Sequence, residues 1–186
     1  MPYTLKLESA LFLVGLFLVV AHAFALFRPK AAQDWLRAFP RSKGLGFLFV
    51  TIAAAWFAWL VWKMDLGEFT NWRTRVLIGT PIAWWLAWRY VDEFLAVRGL
   101  GMLVLLGAEP LLGAAFLRPE MSRLFLVSLV YVWVGFALFW VGMPYTLRDQ
   151  IGWVTGGEKR WRAAAFAGLA YGALLLVLPL TYGRPA

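Results

Sequence analysis

The chain of 186 residues contains no cysteine and only one histidine. The absence of cysteine excludes disulfide bonds, thiolate zinc sites, iron–sulfur clusters and a cysteine nucleophile. A single histidine cannot supply both axial ligands of a haem or form a histidine-rich metal site. The phosphate-binding GxxxxGK[ST] loop, the HExxH zinc motif and the GxSxG nucleophile motif are also missing. No motif therefore indicates a metal or a cofactor, and we do not favour an enzyme.

Charged residues are also scarce, at 15% of the chain against roughly 25% in an average soluble domain. Hydrophobic residues make up 62%, whereas about 45–50% is usual in soluble proteins. This excess predicts an integral membrane protein. The net charge of +8 lies in short segments between apolar runs. We therefore assign it to membrane topology and to contact with anionic lipid headgroups, and not to nucleic-acid binding.

Six apolar runs approach the length of about 20 residues that a helix needs to cross a bilayer. They occupy residues 9–27, 44–62, 75–91, 99–117, 124–143 and 163–182. Backbone N–H and C=O groups must be paired internally within lipid, so each run is predicted to be helical. The predicted fold is all-α, a single polytopic membrane helix bundle over residues 1–186 with about six transmembrane helices.

The loops between these runs predict the orientation of the bundle. Eleven of the 18 Lys and Arg residues lie in segments 28–43, 89–98 and 148–162. The positive-inside rule places these segments in the cytoplasm and both termini outside it, in a membrane that we take to be the bacterial cytoplasmic membrane. Many of the 12 tryptophans lie near run boundaries, as in an aromatic belt. Residues 31–43 predict a short amphipathic surface helix, and Gly156-Gly157 predicts that 148–162 is a flexible loop.

Glu109 is the clearest ionisable residue inside an apolar run, and such residues are functional candidates because charge is costly in lipid. Pro110 follows it and predicts a kink, or a break that would make 99–117 a re-entrant segment and leave five full spans. His22, the lone histidine, lies in the first run. These residues are candidates for an ion, proton or ligand site, in which His22 could pair with Glu109 or ligate one metal ion alongside a carboxylate.

Two further patterns are candidates for structural roles. Arg89, Asp92, Glu93 and Arg98 form a charged cluster between the third and fourth runs. On a helix, Arg89 would reach both acidic residues at i+3 and i+4, which favours mutual neutralisation over a headgroup or substrate site. Gly168 and Gly172 form a GxxxG pattern in the last run, which predicts close helix packing within the chain or between copies.

These observations leave three hypotheses about function. The preferred one is a non-catalytic structural or accessory subunit of a membrane complex, because the chain is small and has no catalytic constellation. The second is a small transporter or channel in which Glu109 is the ion or proton site and faces the bundle interior. The third is a membrane-embedded enzyme acting on a lipid or isoprenoid, whose phosphate headgroup the basic loops would bind. Asp92, Glu93 and the two arginines of the charged cluster would be its acid–base groups, next to a groove that opens to the bilayer.

Overall fold

A computed structural model describes residues 3–91 and 94–181 of the chain. Within these residues it contains eight α-helices and no strand. The helices are α1 (Leu7–Phe27), α2 (Pro29–Ala38), α3 (Lys43–Lys63), α4 (Arg73–Tyr90), α5 (Leu95–Ala115), α6 (Arg123–Gly142), α7 (Tyr145–Thr155) and α8 (Glu158–Val177). Short 3-10 turns at Phe39–Arg41, Gly67–Trp72 and Leu178–Thr181 complete the chain path. The predicted all-helical membrane fold is confirmed.

Five of the described helices are long and apolar enough to cross a membrane, namely α1, α3, α5, α6 and α8. The predicted third span forms α4, which is less apolar because Arg73, Arg75 and Arg89 lie within its 18 residues. Its length of about 27 Å is nevertheless close to the ~30 Å hydrocarbon thickness. The alternative of a re-entrant break in 99–117 is wrong, since α5 runs without interruption through Glu109 and Pro110.

Helix α4 returns the chain along the full length of α3. Phe47, near the start of α3, lies 5.7 Å from Trp88 near the end of α4, measured between ring centroids. At the opposite end, Arg73 at the start of α4 donates a hydrogen bond of 2.7 Å to the carbonyl of Met64, just beyond α3. Six helices therefore pass between the two ends of the bundle. An even number of passes places both described chain ends together, and Leu5 and Leu178 indeed pack on the same core cluster.

The main core lies between α1, α5, α6 and α8, where Leu11, Leu126 and Leu175 are fully buried. Glycine allows the closest helix pair, because a Cβ atom on Gly172 of α8 would lie 3.0 Å from the carbonyl oxygen of Gly15 of α1. A second cluster around Phe39 joins the 3-10 turn after α2 to α5. Helix α4 lies outside both clusters, and none of its residues is buried.

The end of the bundle that carries segments 28–43, 89–98 and 143–162 is called the basic end below. The predicted amphipathic segment is confirmed here as α2 and its following 3-10 turn, with Ala32 and Phe39 buried. The predicted flexible loop over 148–162 is wrong. Residues Tyr145–Thr155 form α7, and α8 already begins at Glu158, so only Gly156 and Gly157 connect the two helices.

Candidate functional site

An apolar groove of about 580 Å³ is bounded by α3, α4 and α5. It is called the α3–α5 groove below. Small residues form part of its walls, with Ala53 and Ala54 on α3 and Gly79, Ala83 and Ala87 on α4. The groove forms because α4 packs on α3 but stands away from α5. Its lining residues occupy the central part of α3 and α5 and most of α4, so the groove lies between the two ends of the bundle.

The polar groups around this groove are bonded to one another. The Thr80 hydroxyl donates to the Val76 carbonyl at 2.8 Å, one turn earlier on α4. The Trp84 indole N–H donates to the Thr51 hydroxyl at 2.9 Å, and that hydroxyl donates to the carbonyl of Phe47 at 2.7 Å. These polar atoms therefore need no ligand in the groove to complete their hydrogen bonds. The lining can offer a ligand only apolar contacts.

An aromatic cluster covers the part of the groove nearest the basic end. Phe47 lies 5.7 Å from both Trp84 and Trp88, and the two tryptophans stack with centroids 6.4 Å apart. These distances are typical of favourable aromatic pairs. The cluster holds α3 and α4 together where α4 has few other contacts. The sequence indicated an aromatic belt but not this clustering, which depends on the register of α4 against α3.

Glu109 does not face the interior of the bundle. Its side chain is exposed on the surface, six residues before the end of α5, beside a crevice of about 30 Å³ that Tyr3, Leu5 and Pro110 also line. Among the described residues it has neither a hydrogen bond nor an ion pair. The arrangement expected for a transporter, with this carboxyl directed into a polar interior, is not found.

His22 lies near the opposite end of the bundle from Glu109. Its Nδ1–H donates to the Leu18 carbonyl at 2.7 Å, and its Nε2 edge lies against Gly168 of α8. It lies 15 residues beyond Leu7, the first residue of α1, which corresponds to roughly 22 Å along the helix. Because Glu109 lies beside Leu5, the suggested pairing of His22 with Glu109 is wrong. His22 instead lines a cavity of about 330 Å³ between α1, α2 and α8.

The predicted charged cluster is only partly visible, because Asp92 and Glu93 lie outside the described residues. The guanidinium of Arg89 lies 5.7 Å from the ring of Tyr90. Arg98 donates to the carbonyl of Val141 at 2.8 Å, at the end of α6. The structure thus gives the two arginines separate contacts, and Arg98 joins α5 to α6.

Cationic side chains at helix C-termini recur at the basic end. Arg37 of α2 donates to the Thr155 hydroxyl at 3.0 Å and to its carbonyl at 2.9 Å, at the end of α7. Arg160 donates to the carbonyl of Trp153 at 3.1 Å. Such contacts satisfy terminal carbonyls and complement the negative end of the helix dipole. Several of the basic residues that predict topology therefore also hold helices together, a role that loop charge alone did not indicate.

The GxxxG residues of α8 both lie against α1. Gly172 contacts the α1 backbone at Gly15 and Val19, and Gly168 leaves the space that the His22 ring fills. A methyl group at position 168 would overlap that ring. The structure therefore brings Gly168 and Gly172 into a contact within the chain. It does not bring them near Glu109 or Arg98, so the candidate residues do not form one site.

Among residues 3–91 and 94–181, no group of three His, Asp or Glu side chains is arranged to hold a metal ion. No protein-family model, curated protein or solved structure matches the chain significantly. The function must therefore be argued from the geometry of the bundle itself.

Proposed function

We propose that this protein is a non-catalytic accessory subunit of a membrane complex, located in a bacterial cytoplasmic membrane. The observation that carries the proposal is the outward-facing Glu109. Its carboxyl is exposed on α5 and has no partner among the described residues. A helix of another subunit that provides a basic or hydrogen-bonding group would give it one.

The depth of Glu109 makes such a partner energetically important. Six residues separate it from the end of α5, which corresponds to about 9 Å along the helix axis. An acidic side chain at the centre of a membrane helix costs about 2.5–3.5 kcal/mol on insertion scales, and ionisable residues in membrane proteins normally face a partner or a cavity. A subunit interface would remove most of this cost by hydrogen bonding or ion pairing.

Helix α4 gives further support. None of its 18 residues is buried, and it packs chiefly on α3. Ile78, Ile82 and Trp85 are all exposed. In a bilayer this exposed face of α4 can contact lipid, or it can pack against a helix of another chain. A complex that engages Glu109 on α5 could also engage α4, which has no buried residue.

The orientation rests on the distribution of charge between the two ends. The basic end carries eleven Lys and Arg residues, and seven lie elsewhere in the chain. We propose that the basic end faces the cytoplasm and contacts anionic lipid headgroups, and that both termini lie on the other side. The amphipathic helix α2, with Lys30 and Arg37, would then lie at the cytoplasmic interface.

Native mass spectrometry of the protein, extracted gently from its own membrane, tests the subunit proposal. We expect the wild-type chain to be released with at least one other subunit. The Glu109→Leu variant should lose this subunit, and Glu109→Gln should keep part of it because an amide still forms hydrogen bonds. Glu68→Gln, which alters an exposed carboxyl in the turn before α4, is the matched control and should have no effect.

Two outcomes would contradict the proposal. One is recovery of wild type solely as a monomer. The other is a Glu109→Leu variant that keeps every subunit. If wild type is instead recovered as a homo-oligomer that the Glu109→Leu substitution dissociates, Glu109 lies at an interface as proposed, and the partner is a second copy of this chain. Thermal unfolding of each purified variant verifies that lost subunits do not reflect a misfolded chain.

A further inference from the structure

We infer that the α3–α5 groove holds one acyl chain of a membrane phospholipid, whose phosphate lies at the arginine-rich start of α4. This inference does not depend on the proposed subunit role, because Glu109 belongs neither to the groove nor to the arginine-rich start of α4. The occupant is identified from the dimensions of the groove, from the chemistry of its walls and from the charges beside its outer end.

The length of the groove matches one acyl chain. On α4 the lining runs from Val76 to Ala87, which corresponds to about 16 Å. This length is about half of the ~30 Å hydrocarbon thickness, which is the depth of one leaflet and hence of one acyl chain.

The walls favour hydrocarbon over a polar ligand. Every hydroxyl and indole N–H named at the groove, on Thr51, Thr80 and Trp84, is already hydrogen-bonded within the protein. The remaining lining is aliphatic or aromatic. Each methylene group of a chain gains about 0.8 kcal/mol on leaving water, but none on leaving lipid for this groove. Retention of one particular lipid therefore requires a second, polar contact.

The start of α4 supplies that contact. Arg73 lies one turn outside Val76, Arg75 follows it, and the first turn has neither an acidic residue nor a side-chain cap. Arg73 donates to the Met64 carbonyl, but its Nε is buried without a hydrogen-bond partner among the described residues. Arg75 stacks over the ring of Trp72 at 4.9 Å.

The guanidinium groups of Arg73 and Arg75 lie next to the positive end of the α4 helix dipole, which is electrostatically unfavourable unless an anion lies there too. Asp65 and Glu68, in the turn before α4, are the nearest acidic residues in sequence. The Asp65 carboxylate accepts a hydrogen bond from the backbone N–H of Gly67, and neither acid forms an ion pair with these arginines among the described residues. A lipid phosphate would satisfy the helix terminus and Arg73 together.

Photocrosslinking in lipid nanodiscs tests this inference. The bilayer is phosphatidylcholine, and the probe is phosphatidylglycerol in trace amounts with a diazirine on one acyl chain. We expect crosslinked peptides to come mainly from the walls of the groove. Gly79→Leu places a side chain where the glycine has open space, and should reduce this labelling about tenfold. Ala83→Leu, one turn further along the same wall, should have the same effect.

Gly135→Leu is the matched control. Gly135 also lies within a helix, and a Cβ added there would meet no atom within 4 Å, but Gly135 does not line the groove. Its labelling should equal that of wild type. A diacylglycerol probe with the same diazirine chain lacks the phosphate and should label the groove about tenfold less, as expected for the loss of about 1.4 kcal/mol.

Two results would overturn the inference. Equal labelling of wild type and Gly79→Leu would mean that the lipid binds without preference for the groove. Equal labelling by the two probes would remove the phosphate contact. The proposed subunit role is tested separately, because the Gly79 variants should keep any subunit that Glu109→Leu loses.

Discussion

Replacement of Gly172 by alanine tests the packing of α8 on α1. A methyl group there would lie 2.8 Å from Leu18 Cβ, 2.9 Å from the backbone nitrogen of Val19 and 3.0 Å from the carbonyl oxygen of Gly15. Two of these atoms belong to the α1 backbone and cannot rotate away. The two helices must therefore separate locally, which weakens the packing of Leu11 and Leu175 that are fully buried in the same cluster.

The expected loss can be estimated from known overpacking effects. A methylene group forced into a well-packed core typically costs about 1–3 kcal/mol. Alanine also gains up to about 1 kcal/mol over glycine from helix propensity, which acts in the opposite direction. Gly135→Ala in α6 measures this propensity gain alone, because a Cβ at that position meets no neighbour. We expect Gly172→Ala to be less stable than Gly135→Ala by about 1–3 kcal/mol, or roughly 5- to 150-fold in the folding equilibrium.

The free energy of unfolding is measured by titrating sodium dodecyl sulfate into mild-detergent micelles and following tryptophan fluorescence. Trp161 is a suitable reporter because it is buried on α8 and its indole N–H donates to the Ala25 carbonyl of α1 at 3.0 Å. Equal stability of the Gly172→Ala and Gly135→Ala variants would refute the proposed close contact. A Gly15→Ala, Gly172→Ala double variant should lose less than the sum of the single losses, since both methyl groups separate the same two helices.

Two other predictions concern the basic end and the orientation of the bundle. Arg98→Met should destabilise the fold by about 1–3 kcal/mol, because the carbonyl of Val141 loses its charged donor; unchanged stability in the same detergent titration would argue against this contact. The chain has no natural cysteine, so single cysteines can be labelled without background. In intact cells, Thr70→Cys should react with a membrane-impermeant maleimide and Lys159→Cys should not; the reverse pattern would invert the proposed topology.

The helices were largely predictable because hydrophobic length is a local property of the chain. Five apolar runs became helices long enough to span a membrane, and the amphipathic pattern around Trp35 and Phe39 became α2. The predictions failed where a local sequence pattern is compatible with two different structures. Pro110 suggested a break, yet α5 continues through it, and Gly156-Gly157 suggested a long loop although it only separates two helices.

The candidate residues were less predictable, because their roles depend on which neighbour each one faces. By itself the sequence determined that Glu109 lies inside an apolar run and that Gly168 and Gly172 share one face of a helix. Only the tertiary structure decided that Glu109 faces outward, that both glycines contact α1, and that α4 stands away from α5 to form a groove. The physical reason is that lipid tails are as apolar as the side chains, so no hydrophobic driving force favours burial of one apolar face over another. Composition therefore fixes which segments enter the membrane, while close packing and hydrogen bonds between distant segments decide how they rotate and pair.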